Sequence, residues 1–256
     1  MKIVVAIKQV PARDSQFQLS YDGKRIDESS LEYEINEPDA YALEEALQLR
    51  EALSGEVIAL CAGPNRASST IREALAKGAD RAIHIEVDDL ASWDTLAISK
   101  LLAAAARTES PDLVLTGLQS DDIGAGQTGV VMAELLGLPH ATLIMQVDVE
   151  GGKIHVKREL EDGLFQFVRM PLPAVLTIQS GIKKLRYATL MGIKKAKTKE
   201  VKMLSAADLG VSNQPSYAVV KLTLPQRNKQ TVMIEGDAHS VASQLVEKLR
   251  SEVRVL

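Results

Sequence analysis

The chain has 256 residues, of which 46% are apolar and 25% are charged, a composition typical of a globular protein with a substantial core. Its formal net charge of -4 argues against a nucleic-acid-binding protein, because such proteins usually carry a basic domain or stripe. The single cysteine, Cys61, cannot form an internal disulfide, and the four histidines are too scattered for a zinc motif. We therefore expect a cytoplasmic protein without a metal site and without a nucleic-acid partner.

The chain begins with a short apolar run at residues 3–7, flanked by Lys2 and Lys8. This run is too short for a signal sequence or a membrane span, so it predicts a buried strand and no membrane insertion. Short β-branched runs then alternate with helical patterns, which predicts an α/β fold with a doubly wound, mostly parallel sheet. The further strands are expected at 56–62, 81–87 and 112–117, and the helices at 39–53, 71–78 and 96–107.

Two regions depart from this alternation. Residues 15–36 contain an Asp22-Gly23 turn between polar flanks, which predicts a hairpin inserted after the first strand. From 142 to 178 the pattern predicts two strands around Gly151-Gly152 and then strands at 165–170 and 174–178. We expect this material to be antiparallel and to lie at the edge of the parallel core.

The chain becomes basic and loop-like from about residue 180 onward. A strand is predicted near 217–224 and an amphipathic helix at 238–250. We expect a nucleotide-binding α/β domain at 1–180 and a recognition loop with an extended C-terminal arm at 181–256. Five apolar residues in this arm stand among lysines and arginines, which fits either a solvated face or a docking surface for a partner: Leu185, Tyr187, Leu190, Met191 and Ile193.

Three loops follow predicted strands, at 8–13, 62–68 and 117–131. In a doubly wound sheet, ligands bind outside the carboxyl ends of the strands, where the strand order switches. The third loop is the most informative, because its glycines precede an apolar helix. Glycines let backbone N–H groups approach a phosphate, and a helix N-terminus favours an anion. A phosphate cradle and an ordinary glycine-rich loop with a helix cap both fit this pattern, which matches neither a P-loop nor a dinucleotide fingerprint.

Other polar residues near these loops allow several roles. Asp121 and Asp122 lack a further ligand at metal-binding spacing, so a helix cap or a hydrogen bond to a ribose is the better interpretation. Asn36 and Glu37 precede Pro38 at a predicted helix start, where they turn the chain or contact a nucleotide. No nucleophile motif is present, and Cys61 lies within an apolar strand. His84, His140 and His155 are interpreted as structural, so no catalytic residue is predicted.

Several motifs in chain order resemble the β subunit of electron transfer flavoprotein across nearly the whole chain. They are VVAIKQVP, NEPDAYALEEALQL, CAGP, IREALAKGADRAIHIE, LVLTGLQSDDIGAGQTG, VKRELEDGLFQFVRMPLPAVLT and RYATLMGIKKAK. Each motif alone is weak, and their ordered combination is specific. The resemblance implies a Rossmann-like fold of the adenine nucleotide alpha hydrolase type.

The resemblance also implies cofactors and the residues that contact them. In this family FAD is bound mainly by the α subunit, whereas the β subunit holds a structural AMP. Gln127, Thr128 and Gly129 favour AMP over a second FAD. Carried over to this sequence, the AMP contacts are Ala6, Asn36, Glu37, Pro38, Asp39, Ala62, Leu118, Gln119, Ser120, Asp121, Asp122, Ile123, Gly124, Ala125, Gly126, Gln127, Thr128 and Gly129.

The resemblance places RYATL on a recognition loop that docks flavoprotein dehydrogenases. Leu190 would be the anchor, and Arg186, Tyr187, Lys194 and Lys195 would form its rim. The implied function is electron transport in a heterodimer with the α subunit, from dehydrogenases such as acyl-CoA dehydrogenases of fatty acid oxidation to a membrane electron transfer flavoprotein-quinone oxidoreductase. Such a chain is a carrier and not an enzyme.

Two alternatives stay open from the sequence. A bifurcating flavoprotein would hold a second FAD in the AMP site and oxidise NADH. A nucleotide-sensing protein of the universal-stress type would share the fold but would leave residues 180–200 without a role. Met191-Gly192 also stands where many family members have proline, so the identity of the docking dehydrogenase is not fixed by this segment.

Overall fold

The computed structural model describes residues 1–225 and 231–255, which belong to two compact units, Met1–Leu222 and Thr223–Leu256. The strands are β1 (Lys2–Ala6), β2 (Gln9–Pro11), β3 (Tyr33–Ile35), β4 (Glu56–Gly63), β5 (Arg81–Glu86), β6 (Leu113–Gly117), β7 (His140–Glu150), β8 (Lys153–Glu159), β9 (Phe165–Pro171), β10 (Ala174–Ile178) and β11 (Val201–Ser205). The helices are α1 (Glu37–Leu53), α2 (Ser68–Lys77), α3 (Thr95–Glu109), α4 (Thr128–Leu136), α5 (Leu190–Ala196) and α6 (Ala238–Lys248).

The first unit is built on a nine-stranded sheet in the order β11, β5, β4, β1, β6, β10, β7, β8, β9. The seven strands from β11 to β7 are parallel, whereas β8 and β9 continue the sheet antiparallel. From β1 the chain first winds outward to β4 and β5 and then returns to β6 on the other side of β1. The strand order therefore switches between β1 and β6.

Apolar residues cover both faces of the sheet, as a buried parallel sheet requires. One core contains α1 and α2 residues such as Leu43 and Ile71 together with Val5 of β1. The other contains α3 and α4 residues such as Leu101 and Met132 together with Val4 of β1. Alternate residues of one strand thus face opposite helix layers. The predicted doubly wound, mostly parallel α/β fold of Rossmann-like type is confirmed.

Two predicted strands are corrected by the structure. The segment 174–178 was expected at an antiparallel edge, but β10 lies inside the sheet, parallel to both β6 and β7. All five of its residues are buried, and such a continuous apolar run is typical of a central parallel strand. Residues 217–224, which the structure describes, form no strand. Their β-branched composition alone was a poor guide, because a strand also needs a neighbour with which to pair.

Two elements after residue 180 were not predicted. β11 pairs parallel with β5 at the sheet edge, and its residues are mostly exposed, so it lacks the apolar alternation that marks a strand. α5 is a short helix capped by Thr189, whose side chain accepts a hydrogen bond from Gly192 N at 3.0 Å. The predicted domain boundary at residue 180 stays a prediction.

The segment after β1 forms a small separate sheet, in which β2 pairs antiparallel with β3. Within it Leu19 and Ile26 form an isolated antiparallel bridge around the Asp22-Gly23 turn, as the hairpin prediction requires. Gly23 has φ +63°, a conformation that glycine adopts readily.

The second unit, in its described residues, contains helix α6 where a helix was predicted. Asp237 caps this helix, since its side chain accepts a hydrogen bond from Ser240 N at 2.9 Å. A short π-helical turn at Leu249–Val253 follows.

Candidate functional site

The predicted binding loops meet at the carboxyl ends of β1 and β6, where the strand order switches. Ala6 ends β1 and Gly117 ends β6, and α1 begins beside them. This position is where doubly wound proteins bind ligands. The structure therefore brings three predicted parts together: the end of the first strand, the helix start at Asn36–Asp39 and the loop 118–129.

Asp39, on the first turn of α1, fastens the two strand ends to each other. Its Oδ2 accepts a hydrogen bond from Lys8 N at 2.8 Å, and its Oδ1 accepts one from Gly117 N at 2.9 Å. A Cβ on Gly117 would lie 2.7 Å from the backbone N of Asp39, so only glycine allows this approach. Asp39 therefore acts on the shape of the site, with both carboxylate oxygens already bound by the protein.

The environment of Asp39 also affects its ionisation. Burial raises the pKa of the Asp39 carboxyl to about 7, while the backbone N–H donors of Lys8 and Gly117 oppose this rise. The carboxylate form is the better partner for two N–H donors, because it offers an acceptor on each oxygen. The geometry at the switch point is thus best satisfied when Asp39 is ionised.

Asn36 holds the loop that follows β6. Its Nδ2 donates to Gln119 O at 2.9 Å, and its Oδ1 accepts from Asp121 N at 2.9 Å. The side chain is 1% exposed and makes no capping bond to its own helix. Asn36 therefore links α1 to the loop instead of closing the helix start.

Lys8 makes the second link to the loop. Its Nζ lies 2.7 Å from Asp122 Oδ1 and donates to Ser120 Oγ at 3.3 Å. Burial alone would raise the pKa of Asp122, but the Lys8 charge and its hydrogen bond keep that pKa below the usual value. Asp122 is therefore an ion-pair partner in this structure.

The glycines close to α4 allow tight packing and left-handed backbone conformations at the end of the loop. A Cβ on Gly129 would lie 2.5 Å from Thr116 Oγ1 and 2.6 Å from Thr177 Cγ2, so the helix start sits directly on the ends of β6 and β10. Gly124 and Gly126 have φ +65° and +64°, which favours glycine. Among the described residues, the buried Thr177 Oγ1 finds no hydrogen-bond partner. A buried hydroxyl without a partner beside a helix N-terminus is a group to which a ligand oxygen could bind.

The remaining predicted residues of the third loop, 118–128, are exposed or half-buried. Ile123 is exposed, and Gln127 precedes α4 without a side-chain capping bond. The second loop is different, because Gln9 Nε2 donates to Ser69 Oγ and Thr70 Oγ1, both at 3.0 Å. The hydroxyl groups of Ser69 and Thr70 on the first turn of α2 thus bind within the protein, and Ala62 of the second loop pairs with Ile85 of β5.

Three residues that shape the site were missed by the sequence analysis: Lys8, Gly117 and Thr177. Lys8 is the first residue of the loop 8–13, which follows a predicted strand, so its position in the sequence could have identified it as a site residue. Gly117 was quoted in a motif, although nothing in the sequence indicated that Asp39 would approach it. Thr177 lies on β10, and its contribution could not be inferred while this strand was placed at the edge.

The residues considered for catalysis, Cys61 and His84, are buried within the core. Burial raises the pKa of the Cys61 thiol to about 12, with a further contribution from Asp39, so the thiol is inert. His84 is buried and its Nε2 lies 2.9 Å from Gly63 O. Within residues 1–225 and 231–255 no cluster of three or more His, Cys, Asp or Glu side chains could hold a metal ion.

The predicted docking segment lies away from these strand ends, around helix α5. Tyr187 and Leu190 are 90% and 83% exposed, and Met191 and Ile193 are exposed as well. Lys194 and Lys195 stand on the same short helix and are also exposed. Arg186 differs from its neighbours, because its guanidinium is bound by acidic residues of α1.

A doubly wound parallel sheet with a glycine-rich loop at the switch in strand order defines a protein of the Rossmann-like α/β class. The family model described as electron transfer flavoprotein domain matches residues 24–209. The electron transfer flavoprotein subunit beta of Methylophilus methylotrophus is 38% identical over 257 residues, which cover 96% of this chain and 97% of that protein. The human subunit beta is 35% identical over 258 residues, covering 100% of this chain and 99% of the relative.

A plant relative gives the same result. The mitochondrial electron transfer flavoprotein subunit beta of Oryza sativa subsp. indica is 37% identical over 259 residues, which cover both chains completely. The chain therefore belongs to the electron transfer flavoprotein family, in its beta subunit branch. Among the described residues, no helix is long and apolar enough to cross a membrane.

Proposed function

We propose that this chain forms a heterodimer with an electron transfer flavoprotein α subunit and contributes a structural AMP site and a docking segment. The observation that carries the proposal is the loop 118–129 at the switch point, which is bound by Asn36 near its start and packs through Gly129 against the ends of β6 and β10 at its end. FAD would be held mainly by the α subunit. The chain is then a carrier subunit without catalytic residues of its own.

The residues present fit a nucleoside monophosphate. Backbone N–H groups at the start of α4 and the positive-φ glycines would hold the phosphate, and the buried Thr177 hydroxyl has no partner among the described residues. The nearby acids do not prevent this, since Asp39 accepts two backbone N–H groups and Asp122 is paired with Lys8. AMP would supply no redox chemistry there and would lie against the loop and the start of α4.

Electron transfer requires that the heterodimer meet its redox partners. We assign the exposed apolar residues around Leu190 to docking of flavoprotein dehydrogenases, such as acyl-CoA dehydrogenases, with Tyr187, Lys194 and Lys195 at the rim. A small interface with one apolar anchor permits rapid release, which a carrier needs. The acceptor would be a membrane electron transfer flavoprotein-quinone oxidoreductase.

A cytoplasmic location remains our proposal, supported by a buried free cysteine of the kind that reducing compartments preserve. Some relatives are named as mitochondrial. Cell fractionation with an antibody to the chain would test the location directly.

The nucleotide content of the heterodimer tests the proposal. The purified complex is denatured, and the released nucleotides are separated and counted. One FAD and one AMP per heterodimer are expected. Two FAD molecules would instead identify a bifurcating flavoprotein, and a homodimer with bound ATP would identify a nucleotide-sensing protein.

A pair of glycine variants locates the AMP within the chain. Gly126→Ala is expected to lower the AMP content of the complex about tenfold, because a methyl group on this loop hinders the close approach of backbone to phosphate. Gly137→Ala is the control, since Gly137 has a similar φ of +70° at the other end of α4. Both variants carry similar backbone strain, so equal AMP content in the two would contradict the assignment.

A further inference from the structure

Arg186 makes an unusually complete set of contacts for a residue in a basic, exposed segment. Its Nε donates to Glu44 Oε2 at 2.8 Å and its Nη2 to Glu44 Oε1 at 3.0 Å. Its Nη1 donates to Glu51 Oε1 at 2.6 Å and its Nη2 to Glu51 Oε2 at 3.2 Å. The Arg186 guanidinium thus engages both carboxylates in paired hydrogen bonds, an arrangement that lysine cannot reproduce.

These contacts are directed toward α1, and those to Glu44 are buried. Glu44 is 4% exposed, and its Oε2 also accepts a hydrogen bond from the backbone N of Arg186 at 3.2 Å. Gln48, one turn along α1, donates to Glu44 Oε1 at 2.7 Å. Four of the five guanidinium N–H donors of Arg186 are therefore bound by its own chain, which leaves little capacity to pair with an acidic partner surface.

The docking segment is also fixed on its other side. A Cβ on Gly192 would overlap the carbonyl oxygen of Ala76, so α5 lies directly against the end of α2. Lys199 Nζ donates to Leu75 O at 2.9 Å, which ties the residues after α5 to the same helix. Between these attachments and Arg186, the side chains of Tyr187 and Leu190 point into solvent.

We infer that Arg186 is a positioning residue for docking: its paired contacts with Glu44 and Glu51 hold the segment 187–193 so that Leu190 is presented in a fixed orientation to a flavoprotein dehydrogenase. The inference rests on the proposed docking function of Leu190. It reassigns Arg186 from the rim of the interface to the support behind it. A segment ordered before the encounter binds more tightly, because less conformational entropy is lost on association.

The test is a double-mutant cycle in the heterodimer. The readout is its reduction by a substrate-loaded flavoprotein dehydrogenase that reduces the wild type. Arg186→Gln is expected to raise the apparent KM for the heterodimer about tenfold, equivalent to ~1.4 kcal/mol, with kcat unchanged. In a Leu190→Ala background the same change should have less than about a twofold effect, since there is no anchor left to position.

Two comparisons separate positioning from charge. Lys184→Gln removes the same charge from an exposed neighbour, and it is expected to change KM much less than Arg186→Gln. Hydrogen exchange of the backbone amides of residues 187–193 should become faster in Arg186→Gln and stay unchanged in Lys184→Gln. If Arg186→Gln prevents assembly, Glu51→Gln carries the same test, because Glu51 is the more exposed half of the pair.

The outcomes are distinct. If Leu190→Ala raises KM and the effect of Arg186→Gln simply adds to it, Arg186 acts independently and the positioning role is overturned. Unchanged amide exchange in Arg186→Gln and in Glu51→Gln overturns it as well. If Leu190→Ala leaves KM unchanged, the docking function itself fails, and the role of Arg186 fails with it.

Discussion

The loop 118–129 and the docking segment 187–193 are both attached to α1, but by different interactions. The loop is held largely by hydrogen bonds of Asn36, the buried residue that directly precedes α1. The docking segment is held by the ion pairs of Arg186 with Glu44 and Glu51, farther along the same helix. One attachment positions a glycine-rich loop, and the other supports an exposed, apolar segment.

The difference follows from what each region must do. Buried hydrogen bonds to backbone groups have strict geometry and fix a loop closely around a ligand. The paired bonds of the Arg186 guanidinium with the buried Glu44 and the half-exposed Glu51 instead hold the docking segment through side chains alone. The proposed docking surface is thus supported by side-chain contacts, whereas the proposed nucleotide site is supported by bonds to backbone groups. Variants that act on one region and spare the other test this contrast.

The largest expected effect is at the switch point. In Gly117→Ala the new methyl group would lie 2.7 Å from Asp39 N, and backbone cannot move away cheaply, so we expect a loss of about 3 kcal/mol in unfolding free energy. The bridge between β1 and β6 should open, and AMP should be lost. Thermal unfolding and the AMP content of the heterodimer measure these two effects.

Gly63→Ala is the matched control for this variant. Gly63 ends the neighbouring strand β4, and a Cβ there would meet only the Ala67 side chain, at 3.2 Å. A cost below about 1 kcal/mol is expected, with AMP retained. Equal losses in the two variants would mean that the Asp39 bridge has no special role.

The second prediction concerns Glu44 and Glu45, adjacent acids of α1 that lie beside Arg186 and Lys183. Burial raises the pKa of Glu45 to about 7, although the charge of Lys183 opposes the rise. The Nζ of Lys183 lies 3.8 Å from Glu45 Oε2, which is too far for a hydrogen bond. The folded state therefore keeps a proton that the unfolded chain releases above its ordinary pKa of 4.5, and stability falls as the pH rises through this window. Glu45→Gln should raise the unfolding free energy at pH 7.5 by up to about 3 kcal/mol.

Glu44→Gln is its counterpart with the opposite sign. Burial alone would raise the pKa of Glu44, but hydrogen bonds from Arg186 and Gln48 keep that pKa below the ordinary value. Its stabilising contribution is therefore present at neutral pH and is lost as the pH falls through the folded-state pKa. We expect Glu44→Gln to lower the thermal midpoint at pH 7.5, where Glu45→Gln raises it. At pH 4.5 Glu45→Gln should match the wild type, and a lower midpoint for it at pH 7.5 would refute the assignment.

The third prediction tests the exposed apolar segment around Leu190. Leu190→Ala should weaken the complex with a flavoprotein dehydrogenase by about 2 kcal/mol, because an apolar anchor is removed from the interface. AMP and FAD content should not change. Leu53→Ala, at the end of α1 and 43% exposed, is the control outside the docking segment. Equal effects of the two variants on electron transfer would show that Leu190 is not an anchor.

The alternating pattern of the first half predicted most of the fold. Apolar β-branched runs and helical periods gave β1, β4, β5 and β6 within one or two residues of their observed bounds. β10 was misplaced because apolar composition marks burial without giving strand direction. β11 was not predicted because an exposed edge strand has no buried face to produce an alternating apolar pattern.

Much less of the candidate site could be predicted in physical terms. Strand ends and glycines indicated where a site would lie, and the family resemblance named its residues. The sequence could not show that Asp39 bridges two strand ends, because its partners are backbone N–H groups of Lys8 and Gly117. It also could not show that Arg186 turns inward, since this depends on how residues about 140 positions apart meet.

The smallest expected effect concerns the partly exposed ion pair that attaches Lys8 to the loop 118–129. Lys8 and Asp122 form an ion pair with side chains 28% and 27% exposed, so water and salt screen much of their attraction. Lys8→Met should cost ~0.5 kcal/mol in unfolding free energy and lower AMP retention only slightly. Raising the salt concentration to about 1 M should weaken the wild-type pair and reduce the difference between the two proteins. A loss of AMP as large as in Gly117→Ala would instead mean that this ion pair, and not the buried bonds of Asn36 and Asp39, is what holds the loop in place.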